Sequence, residues 1–164
     1  MKIIDMLIDG VTIAAKALAA IMLAVMLLVV IAEVGSRYFF SISFPWANEL
    51  IRFMMVWVAF IGGAVTFKDG GLVFFDMILN KLPPKTKTLF QLTINTVILV
   101  FCAYMFYMSW RTTFSRSIAT QTAIGLQISM SIPYFGITLG LALFNIYCLY
   151  NYKKLITTVL GKGE

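Results

Sequence analysis

The sequence predicts an all-α integral membrane protein, with four transmembrane helices plus short interfacial segments in a single domain over residues 1–164. Four long apolar stretches, at about 11–32, 47–67, 88–110 and 133–150, are each bounded by charge. A helix needs roughly 20 apolar residues to cross the hydrocarbon core of a bilayer. The composition is 61% hydrophobic and 12% charged, against about a quarter charged in soluble domains. The third stretch, Thr88 to Trp110, contains no Asp, Glu, Lys or Arg. Little chain is left for a soluble catalytic domain.

Taken in order, Met1 to Gly10 alternates Ile3, Ile4, Leu7 and Ile8 with Asp5 and Asp9, a spacing that suits an interfacial helical turn leading into span one. Span one is long for a signal-peptide core, and no small-residue cleavage site follows it, so it reads as retained. Its Ala15, Ala19, Ala20 and Ala24 form small-xxx-small pairs, which either allow close helix approach or reflect how common alanine is in apolar helices. An outward loop over about 33–46 follows, with Pro45 suited to a helix start and Trp46 to the lipid–water boundary. After span two, Asp69-Gly70-Gly71 breaks the helix. The stretch 72–82 is too short to span and reads as an interfacial helix or a re-entrant segment. Span three carries a weak polar stripe of Thr88, Gln91, Asn95 and Cys102, read as hydrogen-bonding glue between helices. In the second outward loop, 111–132, Ile124, Leu126, Ile128, Met130 and Ile132 alternate with small or polar residues. Period two predicts an extended segment lying against another protein surface. Span four has a GxxxG pair, Gly136 and Gly140, and an in-membrane Asn145.

Charge sets the orientation. The net charge is +6, with 13 Lys+Arg against 7 Asp+Glu. The basic residues sit at the ends of apolar segments, which points to topology and phospholipid headgroups rather than nucleic acid. Four crossings put both termini on one side. Every lysine (2, 16, 68, 81, 85, 87, 153, 154 and 162) falls on that side, and the arginines, 37, 52, 111 and 116, fall on the other. The positive-inside rule then places both termini in the cytoplasm.

The same inventory argues against catalysis. There is no histidine, and Cys102 and Cys148 both lie inside spans with no CxxC, so no zinc site, disulfide framework or cofactor motif is predicted. The span centres carry no charged side chain, which disfavours an ion path of the chain's own. Glu33 and Arg37 at one span end, and Glu49 and Arg52 at the start of the next, place alternating charges at matching depth. Either they fix the outer ends of spans one and two to each other, or they are solvated boundary charges.

Several of these residues, in order, resemble a known family. Arg37-Tyr38-Phe39, Pro45-Trp46-Ala47-x-Glu49-Leu50-x-Arg52, Val56-Trp57, Phe60-x-Gly62, Lys68-x-Gly70, Asp76, Leu82-Pro83, Ile132-Pro133-Tyr134 and Gly140 look like the small membrane subunit of tripartite ATP-independent periplasmic (TRAP) transporters. The likeness runs from about Gly35 to Leu149 and is strongest to the sialic acid branch. Many relatives carry a His where Leu72 stands, a Trp near Ser131 and a Pro near Thr138, so roles of those residues do not carry over.

The resemblance implies a sodium-driven uptake system for organic acids such as dicarboxylates, keto acids or sialic acid, in a bacterial inner membrane. A periplasmic binding protein captures the solute. A large membrane subunit holds the substrate and sodium sites and moves as an elevator. This chain is its static scaffold, with no cofactor of its own. Trp46, Trp57, Trp110, Tyr104, Tyr107, Tyr147, Tyr150 and Tyr152 include suitable interfacial anchors. Ala59/Gly63 and Gly136/Gly140 offer close-approach faces, for this chain's own bundle or for the large subunit. Arg111, Arg116 and the 117–132 segment are placed to meet the binding protein, with phospholipid headgroups an equal alternative for the arginines. The rival reading is a self-contained four-helix exporter or channel. Such an exporter needs an embedded carboxylate, and the only candidate, Glu33, sits at the wrong end of its span.

Overall fold

The computed structural model describes residues 2–69 and 84–160. The 72–82 segment, Asp76 and the Leu82-Pro83 pair therefore lie outside the described residues. Four long helices dominate: α1 Lys2–Phe40, α2 Pro45–Lys68, α3 Pro84–Thr113 and α5 Ser131–Leu160, with the single turn α4 at Arg116–Ala119. All four long helices have the length and hydropathy to cross a membrane.

The helices are longer than their apolar cores. The helical turn expected at the N-terminus runs into span one without a break: α1 is one helix of 39 residues from Lys2. Its Gly10 and Gly35 stand in open space and do not break it. The outward loop expected over 33–46 shrinks to 41–44, because α1 continues past Glu33 and Arg37. A charge does not end a helix, because the backbone hydrogen bonds are internal and persist in water as in lipid. Ser41, in the left-handed region at φ 57°, ends α1. Phe44 is extended ahead of Pro45, as a residue before proline must be, and Pro45 opens α2.

The long helices form a row rather than a closed bundle. α2 packs on α1 and on α5, and α5 packs on α3, giving the order α1–α2–α5–α3. The tightest seam is α2–α5. A Cβ built on Gly136 would lie 2.4–2.6 Å from the Trp57 indole, and one on Gly140 would lie 2.5 Å from the Phe60 Cβ and 2.8 Å from its carbonyl carbon. The GxxxG pair thus serves this chain's own packing. Ile61, Ala64, Val65, Phe67, Leu143, Tyr147, Cys148 and Ala15 fill the core along this seam. Gly63 touches the Phe144 ring, whereas Ala59 is exposed, so the two do not form one packing face within this chain.

Along the α3–α5 seam, Asn95 Nδ2 donates to the Cys148 carbonyl at 3.1 Å. The Thr138 hydroxyl lies 2.7 Å from Ser109 Oγ and 2.9 Å from Thr113 Oγ1. Asn145 donates back to the Leu141 carbonyl of its own helix at 2.8 Å. Between helices in lipid, such bonds hold where hydrophobicity cannot, since tails are as apolar as leucine. Among the described residues, every buried side-chain nitrogen and oxygen has a partner.

Candidate functional site

Two polar belts bracket the α1–α2 hairpin. At the end nearest the N-terminus, Lys68 Nζ donates to Asp9 Oδ1 at 2.6 Å and to Thr12 Oγ1 at 2.9 Å. Thr12 gives its own proton to the Ile8 carbonyl at 2.6 Å, so the Tyr147 hydroxyl, 3.1 Å away and fully buried, donates to it. Lys16 Nζ pairs with Asp69 Oδ2 at 2.6 Å. At the hairpin end, Glu33 Oε1 accepts from Asn48 Nδ2 at 3.2 Å and from Ser43 Oγ at 3.5 Å. Thr12 to Glu33 along α1, and Asn48 to Lys68 along α2, each measure about 30 Å at helical rise. That is the thickness of the hydrocarbon core.

The outer charges do not pair as their spacing suggested. Glu33 ties α1 to α2 through Asn48, an uncharged neighbour across the short turn. Glu49 turns away from Arg52 and caps the second outer loop. Its Oε1 accepts from Ile124 N at 3.1 Å, and its Oε2 from Gly125 N at 2.8 Å and Leu126 N at 2.9 Å. Three consecutive amides held in place by the backbone converge on one carboxylate, and its charge strengthens each bond. Arg37 and Arg52 are exposed and, among the described residues, form no ion pair with either carboxylate.

The 117–132 segment is likewise only partly extended. Ser115 caps the turn α4, accepting from Ile118 N at 3.4 Å. The chain then folds on itself through an antiparallel bridge between Thr122 and Ser129. Ala123 N donates to the Ile128 carbonyl, and Gln127 N to the Ala123 carbonyl, both at 2.9 Å. The surface that this segment covers is the chain's own α2. A Cβ on Gly125 would sit 3.0 Å from Glu49 Oε2, the Pro45 carbonyl oxygen and Trp46 Cα, so a side chain there would press the loop away from α2. At the tip, Ile124 is 93% exposed.

Several roles expected from the residue pattern are reassigned by this geometry. Tyr147 is fully buried, and Trp57 is half-buried with its Nε1 donating to the Ile132 carbonyl at 3.2 Å. Trp46 and Trp110 stay exposed, and Tyr38 is exposed beside Arg37 at the α1 end. Pro133 is buried at the start of α5. Gly62 meets open space, so its place in the motif is not set by packing within this chain. Arg111 lies 5.8 Å over the Tyr107 ring, and Arg116 is exposed at the start of α4. The belt of Asp9, Thr12, Lys16, Lys68 and Asp69 was not anticipated, although a signal existed: Lys16 and Asp69 are equidistant from the centre of the 41–44 turn.

The polar contacts of the two belts join helices and one loop to each other. Chemically the arrangement holds them in place. Comparison with known proteins agrees. The chain resembles a Haemophilus influenzae protein carrying the name TRAP transporter small permease, 28% identical over 88 residues, 54% of this chain and 55% of that one. It resembles a Vibrio cholerae C4-dicarboxylate TRAP transporter small permease protein, DctQ, 28% identical over 93 residues, 57% of this chain and 40% of that one. A third relative is an isethionate TRAP transporter permease protein, DctMQ, of Oleidesulfovibrio alaskensis, 22% identical over 106 residues, 65% of this chain but 17% of that one. The aligned part thus spans about half of the first relative's length and less of the others. Residues 26–158 match the description of one family throughout, and the chain belongs to it: the DctQ component of the tripartite ATP-independent periplasmic transporters.

Proposed function

We propose that this chain is the static small subunit of a sodium-driven, binding-protein-dependent uptake system for organic acids, with sialic acid as one candidate substrate. The observation that carries the reading is the family match over 26–158 on an open row of helices with a paired, apolar interior. A fixed scaffold needs helices locked to one another at both membrane faces, and the two polar belts lock α1 to α2. Transport chemistry, with its sodium and substrate sites, falls to a large membrane partner. The DctMQ relative supports that partner, since the likeness there covers 17% of a much longer polypeptide. A self-contained exporter fits less well, because Glu33 is held at the outer belt by Asn48 and Ser43.

The test is biochemical. Purified from its native membrane, the chain is expected to co-elute with a much larger hydrophobic protein. Reconstituted alone in liposomes, it is expected to take up no organic acid. Uptake by the isolated chain would overturn the proposal.

Orientation and docking follow from the same reading. With every lysine on the inner side, both termini face the cytoplasm. A reporter active only in the periplasm, fused after Glu164, is expected to stay silent, and a bright signal reverses the topology. The outer loop, pinned by Glu49 and presenting Ile124 with Arg111 and Arg116 nearby in sequence, then faces the binding protein. The double substitution Arg111→Glu/Arg116→Glu is expected to slow binding-protein-dependent uptake roughly tenfold at low salt and less at high salt, as lost electrostatic steering would. Unchanged kinetics at both salts would remove the docking role.

A further inference from the structure

The two ends of the helix row present different chemistry to their surroundings. The free face of α1 is aliphatic: Val11, Ile13, Leu18, Ile21, Leu23, Leu27, Leu28, Val30 and Ile31 are all exposed, with no aromatic or hydroxyl side chain among them. The free face of α3 is different. Val97, Val100, Phe101, Tyr104, Tyr107 and Met108 are exposed at spacings of three and four, which makes one stripe.

Depth makes the tyrosines informative. They lie in the charge-free stretch 88–110, whose midpoint is near residue 99. Helical side chains lean toward the N-terminus of their own helix, over the preceding turn. The Tyr104 hydroxyl therefore falls near the level of residue 100, at the centre of the membrane, and that of Tyr107 one turn higher. Neither can reach the outer interface by snorkelling, because that interface lies toward the other end of the helix.

Other α3 hydroxyls are satisfied. Thr93 donates to the Leu89 carbonyl at 3.0 Å, Thr96 to Leu92 at 2.7 Å and Thr112 to Met108 at 2.9 Å, while Ser109 and Thr113 bond to Thr138. A phenol cannot fold back onto its own backbone in this way. Among the described residues, neither Tyr104 nor Tyr107 has a hydrogen-bond partner for its hydroxyl, although Tyr104 is 56% exposed. A hydroxyl left unpaired in hydrocarbon gives up its bonds to water and gains none in return.

We infer that the α3 stripe centred on Tyr104 is the seat of the large membrane partner, which supplies an acceptor for the phenol at mid-membrane, and that α1 faces lipid. The inference rests on the reading of the chain as a small TRAP subunit and adds which end of the row is covered. Lipid tails offer no acceptor, so an occupant with buried polar atoms is required.

The test uses the whole complex, purified from native membranes, with a photoreactive phenylalanine analogue replacing Tyr104 or, separately, Leu27. Illumination is expected to join position 104 to the large subunit and to leave position 27 joined only to lipid. A large-subunit adduct from 27 and not from 104 overturns the assignment, as does a product of two copies of this chain from 104. If the large protein co-elutes but position 104 yields only lipid adducts, the face is wrong and the subunit reading stands. If no large protein co-elutes, both fall. The shape-conserving Tyr104→Phe is expected to weaken subunit association roughly three- to tenfold. Unchanged association would rule out the acceptor.

Discussion

Gly140→Ala is expected to destabilise the protein by about 1–3 kcal/mol through overpacking, seen as a lower midpoint in denaturing-detergent titration of the purified chain. The added methyl would lie 2.5 Å from the Phe60 Cβ and 2.8 Å from the Phe60 carbonyl carbon. The second contact decides the size of the effect, because backbone cannot rotate aside as a flexible side chain can. α2 and α5 must separate along the seam that carries most of the core. Gly136→Ala meets the Trp57 ring instead, at 2.4 Å. It is also expected to break the Trp57–Ile132 hydrogen bond by displacing the indole. Gly62→Ala is the internal control: its Cβ meets nothing within 4 Å, so the isolated chain is expected to keep its stability. Equal midpoints for Gly140→Ala and Gly62→Ala would refute the close α2–α5 approach.

Glu49→Ala is expected to release the outer loop while the helices persist. Three amide hydrogens lose a charged acceptor, a loss of about 2–3 kcal/mol of local stability, since bonds to a charged group are worth about 1.5–3 kcal/mol and solvent replaces part of what is lost. Amide exchange at Ile124, Gly125 and Leu126 is expected to accelerate about 30- to 150-fold, with exchange in the α2–α5 seam unchanged. The exchanged pair Glu49→Arg/Arg52→Glu discriminates between the two accounts of this residue. An ion pair would be restored by the swap, whereas a carboxylate held by backbone amides is not. The loop is therefore expected to exchange as fast in the double variant as in Glu49→Arg alone. Protection regained in the double variant would reinstate the pair.

These two sites show what a sequence conveys about a membrane protein. Gly136 and Gly140 stand out in the chain as a GxxxG pair, because close approach requires a small residue whatever lies opposite. Whether Trp57 and Phe60 or another subunit lies opposite is not a local property, and only the folded chain places them there. Glu49 is visible as a charge at a span end, yet its partners are backbone amides more than 70 residues away, and every residue but proline carries an amide. Composition cannot mark such a partner. Arg52, at the spacing of an ion pair, was the misleading neighbour.

The sequence by itself determined that four helices are long and apolar enough to cross a membrane, and through the ordered motif which family the chain belongs to. Those are sums over consecutive residues, and a bilayer reads them one segment at a time. The order α1–α2–α5–α3, the belt of Asp9, Thr12, Lys68 and Tyr147, and the Glu49 clamp were decided only in the tertiary structure. Lipid and protein interior are equally apolar, so hydrophobicity cannot choose which faces meet; close packing and a few hydrogen bonds between distant residues make that choice.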